Sequence, residues 1–128
     1  MGINIEISPG ELIDKITILE IKAEHIHDEN LLSLIHAHLN LMTDTLDKNV
    51  QMSPKLTTLI ADLKKINEKL WDVENQIRVY EREKNFGIRF IELARSLYKT
   101  NDERSNIKRD IDLLLLSKIT EVKVYEVY

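Results

Sequence analysis

Leu56, Leu59, Leu63, Ile66, Leu70, Val73, Ile77 and Tyr80 follow one another at 3-4-3-4-3-4-3 spacing. Only an α-helix brings such a series to one side, and at 1.5 Å per residue the seam runs for about 36 Å. A strand would scatter the same side chains over both of its faces. A helix that long with one apolar seam must lay it against other helices, and the spacing leaves open whether they belong to the same chain or to another copy.

The flanking sequence supplies those helices. Ser53-Pro54 opens the long helix as an N-cap followed by a proline that needs no amide donor, and Ser8-Pro9 repeats the device. Glu11 stands where it can complete a capping box, and Leu12, Ile16, Leu19, Ala23 and Ile26 then place one apolar stripe on a helix over residues 9–26. Asp28 caps a second helix with Leu31, Ile35, His38, Leu39, Met42 and Leu46 toward one side. The short connection predicts an antiparallel hairpin of these two. Residues 47–53 break the pattern. Asn85-Phe86-Gly87 ends the long helix, and a fourth begins near Gly87 with Ile88, Ile91, Ala94 and Tyr98 inward and Arg89, Glu92 and Ser96 more polar. Thr100 and Glu103 form another capping-box pattern, which either restarts the helix as a fifth or is overrun by it. Ile107, Ile111, Leu114 and Leu115 carry the apolar face to about Ser117.

At the ends, Ile3, Ile5 and Ile7 alternate with Asn4 and Glu6, and the terminal EVKVYEVY alternates β-branched and aromatic residues. Both stretches have strand character. The expected fold is mainly α: an antiparallel bundle of four to five helices with short N- and C-terminal β-strands that pair, in one domain over residues 1–128. The free edges of such a ribbon offer one route to a homodimer or higher homo-oligomer.

A chain of 128 residues with 43% hydrophobic content suffices for one core. Its longest apolar runs fall short of the ~18 to 20 residues of a membrane span, and a soluble, cytoplasmic protein without membrane contact is expected. With no cysteine, disulfides, thiolate metal sites and cysteine nucleophiles are excluded. The net charge of −4 hides an asymmetry: three basic and nine acidic residues in 1–50, nine basic and five acidic in 78–109. That balance argues against nucleic acid, whose non-specific binding needs net positive charge. It leaves an anionic small molecule, an acidic protein partner, or docking of acidic helices on basic ones within the chain.

All six arginines, Arg78, Arg82, Arg89, Arg95, Arg104 and Arg109, fall between residues 78 and 109. Arginine offers a planar, permanently charged fork that holds carboxylate or phosphate oxygens in pairs. On the long helix Asn67, Trp71, Glu74, Arg78 and Glu81 form a polar strip beside the seam, with Glu74 four residues before Arg78 in the favourable order. Trp71 can stack on a guanidinium or a planar ligand. If the chain folds back at Asn85-Phe86-Gly87, Arg89 approaches Glu81 and Arg82 while Arg95 approaches Glu74, so that carboxylates answer most of the arginines. The candidate ligand-binding residues are Trp71, Glu74, Arg78, Glu81, Arg95, Asn101, Asp102 and Arg104. The same pattern also fits a structural salt-bridge network.

Other chemistry finds little support. Glu24-x-x-His27 has the spacing of a diiron half-motif but stands alone, and His25/His27 and His36/His38 diverge around a helix, so neither metal nor cofactor is expected. Phosphate-cradling glycine loops are missing. Glu11-x-x-Asp14 is a single acidic pair where a pyrophosphohydrolase needs two, and the first helix lacks the arginine of a helical chorismate mutase.

The segments ISPGELIDKITILEIKAE (7–24), LWDVENQIRVYE (70–81), FIELARSLYKTNDERSNIKRDID (90–112) and EVKVY (121–125) resemble a family of small, about 130-residue, uncharacterised bacterial and phage proteins, a domain of unknown function. The resemblance covers most of the chain, least at residues 30–60, and implies no activity. The expectation is a non-catalytic, self-associating helical interaction or regulatory module whose Arg/Glu surface holds an anion or a partner. The alternative is a small all-α enzyme for an anionic metabolite or nucleotide, with Arg78, Arg95 and Arg104 binding charge and Glu74 or Asp102 as acid/base.

Overall fold

Ser8, Asp28 and Ser53 each accept a hydrogen bond from the backbone amide three residues on, at 3.1, 3.0 and 3.2 Å, and each starts a helix. The computed structural model describes residues 1–116 and 124–128. Among them are four helices: α1 (Pro9–His25), α2 (Glu29–Asn49), α3 (Pro54–Arg82) and α4 (Ile88–Leu114). The capping box at the first start is half made. Ser8 takes the Glu11 amide, but the Glu11 carboxylate turns to Lys108, 2.8 Å away on α4.

α3 and α4 form a hairpin, and its turn is a complete Schellman motif: the Asn85 amide reaches the Tyr80 carbonyl and the Lys84 amide the Glu81 carbonyl. Lys84 occupies the left-handed position, φ 54°, that glycine usually fills. α4 passes through Thr100–Asp102 without a break, so there is no fifth helix among the described residues. Thr100 is buried on the inner face, and that packing overrides its capping preference.

The four helices share a core of Ile13, Ile16, Leu46, Leu56, Leu63 and Ile111. α1 is the central element, lying against α2, α3 and α4, whereas the backbone of α2 comes close to α1 alone. The expected stripe on α1 is therefore too narrow: its most buried positions are Gly10, Ile13, Asp14, Thr17 and Ile21, which face the hairpin. The α3 seam is satisfied within the chain, with Leu56 and Leu63 fully buried and Val73 nearly so.

α1 locks onto α4 at its first turn. The Gly10 amide donates to Asp112 Oδ1 at 2.7 Å, placing a carboxylate at the positive end of the α1 dipole. The approach requires glycine: a Cβ at Gly10 would overlap the Lys108 carbonyl oxygen and lie 2.8 Å from Asp112 Oδ1.

Two expectations are corrected. Residues 1–7 form no strand, and Ile3 and Ile5 are exposed; neither do residues 124–128, while 121–123 of the expected C-terminal strand lie outside the described residues. An extended segment becomes a strand only when another backbone completes its hydrogen bonds, and the C-terminal residues lie on α4 instead, Tyr128 against Tyr98. The inward faces of α2 and α4 are also displaced. Leu31 and His38 point outward on α2, as do Ile88, Ile91 and Tyr98 on α4; the inner face of α4 carries Phe90, Leu93, Leu97 and Thr100.

Candidate functional site

At 1.5 Å per residue the 17 residues of α1 span about 25 Å, the 29 of α3 about 43 Å and the 27 of α4 about 40 Å. α1 covers only part of the hairpin and crosses α3, with Asp14 and Thr17 at Asn67 and Glu24 at Lys64. Beside its second half a cleft of about 460 Å³ opens. Ile18 and Ile21 of α1, Leu70 of α3 and Leu97 of α4 supply apolar walls, and Asn67, Trp71, Glu74, Asn75, Arg78, Asn101 and Arg104 supply polar groups.

The floor is held by a buried network. Asp14, 1% exposed, takes Arg104 in a two-point pair: Nε to Oδ1 at 2.9 Å, and Nη2 to Oδ2. Asn67 Nδ2 donates to Asp14 Oδ1 and to Thr17 Oγ1, both at 2.9 Å, and Thr17 Oγ1 donates to the Asp14 carbonyl. Burial alone would push the Asp14 carboxyl up, but the hydrogen bonds from Arg104 and Asn67, with the charges of Arg104 and Lys108, outweigh it and hold the group below its ordinary value. Because Asp14 accepts only, the Asn67 amide is oriented by it. Asn67 Oδ1 then has no hydrogen bond among the described residues, and as every fully buried side-chain polar atom is satisfied, this oxygen has access to the cleft.

On the rim, Trp71 stacks on the His25 imidazole, ring centroids 5.0 Å apart, so its partner is the last residue of α1 rather than an arginine. Arg78 pairs loosely with Glu74, Nε to Oε2 3.6 Å, and its side chain is 77% exposed.

Five of the eight candidate residues thus surround one cleft: Trp71, Glu74, Arg78, Asn101 and Arg104. Asp102 lines no part of that cleft; it accepts from the Tyr128 hydroxyl at 2.6 Å beside a second hollow of about 960 Å³, walled by Val124, Tyr125, Glu126 and Tyr128 and sharing Asn101 and Arg104 with the cleft. Glu81 and Arg95 line neither hollow; both are exposed and form no ion pair among the described residues. The expected approach of Arg95 to Glu74 and of Arg89 to Glu81 is replaced by contacts of Arg89 with Glu92 and Gln76. Among the described residues glutamates answer two arginines, Arg78 and Arg89, and the most enclosed arginine pair uses an aspartate of α1 instead.

Asp14, Thr17, Asn67, Lys108 and Asp112 were not among the candidates, yet they form the buried polar framework. The sequence spacing puts Asn67 in the polar strip beside the seam but not at the site, and the lone Glu11-x-x-Asp14 pair proves to be two anchors for α4. Among the described residues no group of His, Asp and Glu is arranged to hold a metal ion, and no helix is long and apolar enough to cross a membrane. A family model described as "Family of unknown function (DUF6165)" matches residues 3–128. No curated protein and no solved structure matches the chain.

Proposed function

We propose, since the chain belongs to the DUF6165 family and inherits no activity from it, that the protein is a non-catalytic binding module whose cleft holds a small organic anion. The observation that carries this reading is the convergence of Trp71, Arg78, Asn101 and Arg104 on one concavity over a prebuilt floor. Arg104 is oriented from behind by Asp14, so no side-chain ordering is left for the moment of binding. Arg78, exposed and only loosely answered by Glu74, is the cation a carboxylate or phosphate would engage. The Asn67 oxygen asks for a hydroxyl or amide donor on the same ligand, and Trp71 offers a flat apolar surface.

Non-catalytic use is favoured over the enzyme alternative by where the acid/base candidates of that alternative lie: Glu74 lines the cleft but pairs with Arg78, and Asp102 accepts from Tyr128 beside the second hollow, so no two of them converge on one reacting centre.

Thermal melting with phosphate, sulfate, nucleotides and hydroxy-dicarboxylates tests the reading. A ligand at 100 times its dissociation constant adds about 2.7 kcal/mol to apparent stability. One anion class should raise the midpoint and shift the emission of Trp71, the single tryptophan, and Arg78→Lys should remove both effects. No response to any anion would sink it.

A further inference from the structure

Asn67, Trp71, Glu74 and Arg78 succeed one another on α3 at intervals of four, three and four residues, and all four line the cleft. From Asn67 to Arg78 the helix axis advances by about 16 Å, so the cleft runs along α3 and has two unlike ends. At one end is Asn67, only 5% exposed, whose Nδ2 donates to Asp14 and Thr17 while its Oδ1 accepts nothing among the described residues and opens on the cleft. At the other is the exposed Arg78, and a side chain on a helix leans toward the helix N-terminus, here back over the cleft. Between them the walls are apolar: Ile18, Ile21, Leu70, Leu97 and the Trp71 indole. The charges around this space balance. Asp14 answers Arg104 and Glu74 answers Arg78, which leaves no surplus cation. A ligand with one negative charge can take Arg78 from Glu74, whose hold is loose at 3.6 Å. A second negative charge would find no cation of its own and would be repelled by Glu74.

We infer that the ligand of the cleft is an aryl monocarboxylate with a hydrogen-bond donor at the end far from its acid group. It lies along α3 with the carboxylate on Arg78, the ring between Trp71 and the aliphatic walls, and the donor on Asn67 Oδ1. The inference rests on the cleft being an anion site and narrows which anion it takes. Phosphate esters, nucleotides and dicarboxylates carry more charge than the one loosely held cation can answer. An apolar acid without a donor would cover the Asn67 oxygen and leave it unpaired. A second carboxylate at that end would set its oxygens against Asn67 Oδ1, with the Asp14 carboxylate close behind. A cleft of about 460 Å³ falls within the size of small-molecule sites, and one ring with a short acid chain fills it.

A matched series of small acids, titrated against the emission of Trp71 and checked by calorimetry, tests this. The probe is para-hydroxyphenylpropionate; phenylpropionate lacks the donor, para-hydroxyphenylpropionamide lacks the charge, and para-carboxyphenylpropionate replaces the donor with a second charge. The probe should bind tightest, and loss of either the hydroxyl or the charge should weaken binding on the order of tenfold. Arg78→Lys, at an exposed position where the unliganded melting temperature should not move, should weaken the probe by a similar factor and leave the amide unaffected. Equal binding of the probe and phenylpropionate, or of the probe and the amide, overturns the inference. If the dicarboxylate, inorganic phosphate or a nucleotide binds more tightly than the probe and depends on Arg78, the charge balance argued above is wrong while the anion site stands. If no acid of this series and no other anion binds, both fall together.

Discussion

The Asp14 carboxylate and the Arg104 guanidinium, 90 residues apart in sequence, meet in a two-point pair that ties the central helix to the hairpin. The pair does not guarantee stability, because both charges have left water. Arg104→Met alone strands a buried carboxylate and should cost ~3 kcal/mol in urea unfolding. Asp14→Leu combined with Arg104→Met removes both charges and should recover most of that loss. If the double variant is as unstable as the single, the pair contributes more than mutual neutralisation.

Acid should act through the same carboxyl. Its folded-state value lies below the ordinary 3.8, because the hydrogen bonds and charges around it outweigh burial. The unfolded chain therefore binds the proton more readily, and the Asp14 contribution is complete above the unfolded value and lost as pH falls through the folded one. Between pH 5 and 8 the stability gap between wild type and Asp14→Asn should be flat; below about pH 4 it should narrow. A gap that widens on acidification would contradict this.

Gly10 is the contact point of α1 and α4. Gly10→Ala would drive a methyl group into the Lys108 carbonyl and the Asp112 carboxylate. The helices must separate, weakening the Gly10 amide bond to Asp112, and a loss of about 1–3 kcal/mol is expected. Alanine is the better helix former, so unchanged or raised stability in chemical denaturation would show that the close approach is absent.

The opposite sign is expected at the hairpin turn. Lys84 holds a left-handed backbone at φ 54°, strained for a residue with a Cβ. Lys84→Gly should stabilise the fold by about 0.5–1 kcal/mol, read as a higher melting temperature.

What could be foreseen in this fold was local chemistry. Ser8, Asp28 and Ser53 announce helix starts because a cap is completed within three residues, and the Asn85-Phe86-Gly87 break marks the hairpin for the same reason. The inward side of α4 was not legible, and on α2 Leu31 and His38 were misplaced while Leu39, Met42 and Leu46 were read correctly. In each, two apolar stripes run side by side with one period, and only the neighbouring helix decides which is covered. The terminal strands failed on the same ground, since alternation is a local property and pairing is not. Trp71, Arg78, Asn101 and Arg104 were found because they sit at helical spacing on either side of a visible turn. Asp14 was missed as a site residue because nothing in its own segment distinguishes a buried, paired aspartate from a solvated one.

Since Ile18 and Ile21 form the α1 wall of the cleft while Asp14, one to two turns earlier on the same helix, holds Arg104, the space and its support are set by different residues of one helix. A smaller side chain at Ile18 would enlarge the opening without touching the Asp14–Arg104 pair, so the cleft can be retuned for other molecules without unmaking the protein.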